Sequence, residues 1–318
     1  MTTALAPISS VTMTSVDWLI EPLVPLGKLT IIAGQMEQGK SQLTALLAAG
    51  VTTGRGVNLS APGSALMFTV EDDDTDTTRP RLEAAGANTD RVFTISDDAL
   101  DADKIAGYCD ALGDVRLVTV DPLTAFFPGS VNPWKTPDVR RFLRLLIELA
   151  QKRRFALVGL LHTNRWSDSA DPLTRISEAQ GIPQVARSVL VLGPDPTDPE
   201  GDRRILATAK NNLTKGRPAV SYRIEEVKVS GEISAPRLID EGESLTTATE
   251  VLSGPQSGPA DVFLAAALAD GPRLAGELYT LADEEGITRQ MLRTAKKHLG
   301  VTTAKRGLEG WEWTLPTV

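Results

Sequence analysis

Lys28 to Gly54 reads KLTIIAGQMEQGKSQLTALLAAGVTTG: an apolar β-branched run, a glycine-bounded loop, then helical spacing that exits through glycine. Within it Gly34, Gly39, Lys40 and Ser41 fit G-x-x-x-x-G-K-[ST], a pattern that means something only between a strand and a helix. Both flanks are present. The glycines allow main-chain N–H groups to turn inward around phosphate oxygens. Lys40 is expected to reach the β- and γ-phosphates and Ser41 to ligate Mg²⁺, while the helix points its positive end at the anion. Gln35, Met36, Glu37, Gln38 and Gln42 fill out the expected ATP-binding loop, with Glu37 turned away because a carboxylate beside a triphosphate repels it. The plainer alternative is a chance Gly/Lys turn; the flanking strand and helix favour nucleotide.

The same alternation continues downstream. SALMFTVE, RVFTIS, VRLVTVD and FALVGLLH read as buried strands, and DADKIAGYCDALG and TPDVRRFLRLLIELAQKRR as helices. Strands alternating with helices predict a parallel α/β sheet. After His162 the pattern changes. SVLVLGP, RILATAK, AVSYRIEE and EVKVSGEI are short strands without an obvious helix between them, expected as antiparallel additions at the sheet edge. DEGESLTTATEVLSGPQSGPA reads as a linker. Three short helical segments and a closing hairpin, VTTAKRGLEGWEWTLP, then predict a winged helix-turn-helix. The expected organisation is a disordered stretch over 1–15, an α/β nucleotide-binding domain over 16–240, a linker over 241–257 and a winged helix over 258–318.

Three strand ends carry candidate chemistry. Asp121 closes VRLVTVD, where a carboxylate can support Mg²⁺. Glu71 closes SALMFTVE and can accept a proton from attacking water; its place in the run Glu71-Asp72-Asp73-Asp74 also fits a solvated acidic turn, and the buried strand before it favours the first carboxylate as the inward one. His162 closes FALVGLL and can sense a γ-phosphate by hydrogen bonding, the plain alternative being a satisfied strand-end histidine.

Composition narrows the class. A formal charge of −8 on 318 residues disfavours a general polyanion binder, so nucleic-acid contacts must be local. One such locality exists: Gly286 to Arg306 carries Arg289, Arg293, Lys296, Lys297, Lys305 and Arg306 and no acid. The single cysteine, Cys109, excludes an intrachain disulfide and reads as a small core residue. No run approaches the ~18 apolar residues of a membrane span, and no basic-then-apolar leader opens the chain. A cytoplasmic protein without a membrane partner is expected.

Taken together, VDWLIEPLVPLGKLTIIAGQMEQGKS, FTVEDDDTDTTRPRLEAAGANTDRV, VTVDPLTAF, LLHTNR and LATAKNNL resemble the RepA-like AAA ATPases, RecA-fold proteins of phages and mobile elements related to DnaB-type hexameric helicases. The likeness runs from Trp18 to Asp240, and the C-terminal segment is similar to the winged-helix tail of some members. The resemblance implies a RecA-like P-loop fold with ATP and Mg²⁺ as cofactors. It implies that Gly34, Gly39, Lys40 and Ser41 form Walker A, that Asp121 is Walker B, that Glu71 is the catalytic glutamate and that His162 is the γ-phosphate sensor. It also implies a homo-oligomer, a hexamer by analogy, with a primase or other replication protein as a further partner. In such rings a Lys-x-Arg pair enters the neighbour's site; here Lys210 stands in the first position and Asn212 replaces the arginine, which weakens the expected trans contact. Arg187 matches a recurrent family arginine, with either substrate contact or structure as its role.

The resemblance turns the loops after the Asp121 and His162 strands toward a ring channel. Lys135, Arg165 and Arg175 are then candidates for phosphates of single-stranded DNA, and Trp134 and Trp166 for stacking on bases. TRQMLRTAKKHLG is the candidate recognition helix, presenting Arg289, Arg293, Lys296 and Lys297 to duplex DNA. The leading expectation is an ATP-driven helicase or loader in replication. A recombinase filament protein, a nucleotide-switched DNA-binding initiator and a small-molecule P-loop kinase are the alternatives.

Overall fold

The computed structural model describes residues 7–70, 72–96, 99–163, 171–176, 181–198, 201–253, 259–307 and 310–316. They divide into two compact units, Met1–Leu252 and Ser253–Val318. Ahead of the first sheet, Ile8–Ser10 is an exposed 3-10 turn.

The first unit opens with a small antiparallel ribbon of β1 (Trp18–Ile20) and β2 (Val24–Pro25). Next come β3 (Leu29–Gly34), α1 (Lys40–Thr53), β4 (Ser64–Thr69), α2 (Arg79–Ala84), β5 (Val92–Ile95), α3 (Ala102–Leu112) and β6 (Val115–Asp121). α4 (Thr136–Arg153), β7 (Ala156–His162), α5 (Gly181–Val185), β8 (Ser188–Pro194), β9 (Arg203–Asn211), β10 (Ala219–Ser230), β11 (Ile233–Ser244) and α6 (Ala248–Ser253) complete it. Among the described residues nine strands make one sheet, in the order β11-β10-β9-β8-β3-β7-β6-β4-β5. From β8 to β5 every pairing is parallel; β9, β10 and β11 extend the sheet antiparallel.

Strand alternation explains why both faces are covered. Leu29, Ile31 and Ala33 of β3, Leu157 and Leu161 of β7, and Val189 and Val191 of β8 face one core. Their neighbours Ile32, Val158, Leu160, Leu190 and Leu192 face the other. α4 closes the first core with Val139, Leu143, Leu146 and Ala150, one stripe at helical spacing. α1 and α2 close the second with Leu43, Leu47, Val51 and Leu82. Cys109 lies in the first core, and burial raises its thiol pKa.

Three sequence expectations need correction. SVLVLGP is β8, a parallel neighbour of β3 inside the sheet rather than an antiparallel addition. The crossover leading to it contains the five-residue α5, too short to leave a helical period in the sequence. EVKVSGEI is the end of β10 and its turn into β11, each strand running twelve residues. The stretch read as a linker is structured over much of its length. β11 reaches Ser244, and α6 buries Ala248, Val251 and Leu252 in the first core.

The second unit contains α7 (Pro259–Ala267), β12 (Arg273–Leu274), α8 (Ala275–Glu284), α9 (Arg289–His298), β13 (Thr302–Arg306) and β14 (Gly310–Thr314). The strands pair antiparallel in the order β12-β14-β13. Leu264, Leu268, Leu278, Ala282, Leu292, Ala295 and Trp313 form its own core.

Candidate functional site

Lys40, Ser41, Asp121 and His162 meet at the carboxyl ends of the central strands, where open parallel sheets place their ligand crevices, whereas Lys210 pairs with Val189 near the start of β8, at the other end of the sheet. Register brings them level: Gly34 of β3 pairs with His162 of β7, and Thr69 of β4 pairs with Asp121 of β6. Gly34 ends β3 in a place only glycine fits, because a Cβ there would stand 2.4 Å from the main-chain oxygen of Leu192 in β8. The chain turns through Glu37 at φ 62° and Gly39 at φ 93° before α1 begins. Two left-handed residues so close together, one of them not glycine, are the local strain of a loop whose N–H groups are bent out of helical or strand directions. Gly39 sits at the N-cap of α1 without a side-chain cap, leaving the first amides of the helix to another partner. Glu37 is exposed.

Lys40 is only 6% exposed. Its ammonium donates to the carbonyl oxygens of Gly34 at 3.1 Å and Gln35 at 2.7 Å and lies 3.4 Å from Nδ1 of His162. The charge is thus folded into the loop, at the place where phosphate oxygens would exchange with carbonyls. Ser41 donates from Oγ to Oδ2 of Asp121 at 3.0 Å, tying the start of α1 to the tip of β6. This hydroxyl and carboxylate are the donor set a P-loop offers Mg²⁺, which takes few protein ligands and completes its shell with water and phosphate oxygens. The neighbouring cleft, about 20 Å³, is lined by Ser41, Thr69, Asp72, Arg81, Thr119 and Asp121 and has room for one water. The residues fit the metal and the nucleotide. Glu71, the expected catalytic base, lies outside the described residues.

Sequence reasoning missed two features. Arg81 of α2 forms a part-buried ion pair with Asp72 on the cleft wall. The floor beneath Gly39 is apolar, made by Leu192 of β8 and Leu238 of β11, each about 3.9 Å from where a Gly39 Cβ would lie. Nothing in the local pattern of Leu238 announces that role, since β11 reads as polar sequence.

Lys210 has a setting the sequence did not reveal. Its ammonium donates to the carbonyls of Pro183 at 2.8 Å, Gln184 at 3.2 Å and Ala186 at 2.9 Å, closing the end of α5. Burial, and then the nearby Arg187 charge, lower its pKa. Arg187 and Asn212 are exposed, and their main chains are joined by Asn212 N–H donating to Arg187 C=O.

Of the nucleic-acid candidates, Lys135 is exposed at the N-cap of α4 beside Trp134, which is 73% exposed. Arg175 ends a 3-10 turn and is partly buried. Arg165 and Trp166 lie outside the described residues. In the second unit Arg289, Arg293 and Lys296 run along α9; Arg289 and Arg293 are exposed and Lys296 is half-buried, while Lys297 falls on the same helix.

Residues 4–168, just over half the chain and spanning β1 to β7, match the sequence profile of an AAA domain family. The chain belongs to this AAA domain family. No curated protein sequence matches it. The chain resembles in fold a DnaB-like replicative helicase solved in a study of its interactions with primase. That likeness has a TM-score of 0.52 at 14% identity, over 69% of this chain and 63% of the other. A solved ATPase domain matches with a TM-score of 0.46 at 13% identity, over 61% of this chain and 80% of that one. By the likeness to the DnaB-like helicase, the central sheet of this AAA protein is a RecA-like P-loop NTPase fold. Among the described residues no helix is long and apolar enough to cross a membrane.

Proposed function

We propose that this AAA protein binds ATP with Mg²⁺ and hydrolyses it as a RepA-type RecA-fold motor acting on DNA in replication, as a helicase or helicase loader. The observation that carries the reading is the union of Lys40, Ser41, Asp121 and His162 at the carboxyl ends of β3, β6 and β7, around a loop with two left-handed residues. In the bound state, phosphate oxygens replace the carbonyl partners of Lys40, and the α1 amides hold the same anion. Bound Mg²⁺ would supply neutralisation of charge on the transferring phosphoryl group, with Ser41 and Asp121 holding it. Glu71 takes the proton from attacking water, and His162 reads the γ-phosphate through the nitrogen now facing Lys40.

Ring assembly, a hexamer by likeness to DnaB-type proteins, would bring Lys210 to a neighbour's site. Lys210 must then exchange three carbonyls for phosphate oxygens, and Asn212 supplies no guanidinium beside it. Lys135, Arg165 and Arg175 would track a strand in the channel, and α9 of a winged-helix second unit would contact DNA. A primase or another replication protein is the fitting further partner, and the cytoplasm the fitting compartment.

The tethered Lys210 and the missing arginine favour one second reading, a nucleotide-switched DNA-binding initiator with slow turnover. ATPase rate against protein concentration, with and without single-stranded DNA, separates the two. A rate per chain that climbs with concentration and with DNA fits a ring with shared sites; a flat, DNA-indifferent rate overturns the motor and leaves the switch.

A further inference from the structure

We propose that the cleft between α8, α9 and β14 is a binding site for single-stranded nucleic acid, holding its phosphodiester backbone on a row of three cations and a base against an aromatic wall. The inference rests on the DNA-binding role proposed above and adds the form of nucleic acid that the second unit takes.

The row is Arg289, Arg293 and Lys296, at i, i+4 and i+7 on α9. The helical rise separates successive members by about 6 and 4.5 Å along one stripe. Two aromatic side chains anchor it. The Arg289 guanidinium carbon lies 5.2 Å from the Tyr279 ring centre, and the Lys296 ammonium lies 4.7 Å from that of Trp313. Tyr279 and Trp313 themselves meet edge to face at 5.7 Å. A cation held over a ring keeps its full charge and leaves N–H donors for an anion, which an ion pair with a carboxylate would not. The stripe itself carries no acid: Gly286 to Arg306 has none, Glu312 of β14 is matched by Arg306 at 2.9 Å, and the acids of α8 and its exit, Glu277, Asp283, Glu284 and Glu285, are exposed to solvent.

The cleft has a volume of about 390 Å³ and is lined by Tyr279, Arg293, Lys296, Val301 and Trp313. Its mixture of two cations, two rings and an aliphatic side chain suits a base with its phosphate. Duplex recognition asks for the opposite shape: a helix whose side chains stand away from their own domain and enter a groove about 12 Å wide. On α9 two of the three cations instead bend back over rings of the same unit, so the stripe borders a hollow rather than crowning a ridge.

The test measures fluorescence anisotropy of the full-length chain without nucleotide, using a labelled oligothymidylate of about 16 bases and a duplex of equal charge at matched salt. The variants are Arg293→Glu, an exposed change clear of both ring contacts, Tyr279→Leu, and Lys40→Ala as a control. The proposal expects the oligothymidylate to bind tighter than the duplex. It expects Arg293→Glu and Tyr279→Leu each to weaken that binding by about tenfold or more, with Lys40→Ala unchanged. Tighter duplex binding that Arg293→Glu weakens overturns the single-strand assignment. Oligothymidylate binding indifferent to Arg293→Glu overturns the site, even if Tyr279→Leu proves poorly folded. Neither result touches the ATP reading, which stands or falls with the Lys40 variant's turnover.

Discussion

Gly34 and Lys210 are the residues at which the structure makes its sharpest demands. Gly34→Ala forces a Cβ to within 2.4 Å of a main-chain oxygen in β8, so β3 and β8 must separate just where the phosphate loop departs. We expect a loss of about 1–3 kcal/mol of stability, read by denaturant unfolding, together with weakened ATP binding. Lys210→Ala leaves three carbonyls at the end of α5 without their donor in a partly buried place. Thermal unfolding should show about 1–3 kcal/mol lost in the isolated chain, before any question of a neighbour arises. A residue serving only a trans contact would show no such loss. Gly34, Gly39, Lys40 and Ser41 were legible as phosphate-loop candidates because a ligand of fixed shape would dictate such a spacing. The Leu192–Leu238 floor under Gly39 was not, because it joins residues far apart in sequence that signal nothing beyond apolarity.

At the scale of elements, the strands buried on both faces announced themselves as continuous apolar runs, which is why β3, β4, β6 and β7 were readable in advance. β11 was hidden. It carries Pro236 and several charges, a composition that suits an edge strand and reads locally as loop. α6 was hidden by its shortness, although Thr247-Ala248-Thr249-Glu250 spells a capping box. In the structure the Glu250 carboxylate accepts from the Thr247 N–H and Oγ–H, both at 2.7 Å, and those bonds hold its pKa below the usual value. A depressed folded-state pKa means the cap acts above the ordinary carboxylate range and is lost as pH falls through the lowered value. Hydrogen exchange of the α6 amides should therefore accelerate, beyond the intrinsic pH effect, as pH drops below the ordinary glutamate range. Glu250→Gln should remove that acid sensitivity; an α6 whose protection ignores both changes is held by Val251 and Leu252 alone.

For the whole molecule, the sequence separated an α/β part from a C-terminal part containing a basic run, and the structure divides after Leu252, with Ala248, Val251 and Leu252 of α6 packed in the first core. The acidic balance of the chain and the basic run on α9 coexist because charge is segregated along the second unit: it carries seven basic and eight acidic residues, and six of the seven cations fall between Gly286 and Arg306. The central claim is that the loop from Gly34 to Ser41, with Asp121 behind it, holds a magnesium-bound nucleoside triphosphate. Titration of a fluorescent ATP analogue, with Mg²⁺ and with EDTA, into the wild-type, Lys40→Ala and Asp121→Asn proteins tests it most directly. We predict saturable, Mg²⁺-dependent binding by the wild type, a loss of about 100-fold or more in Lys40→Ala, and lost Mg²⁺ dependence in Asp121→Asn. Binding of equal strength in all three folded proteins, with or without the metal, would contradict the account.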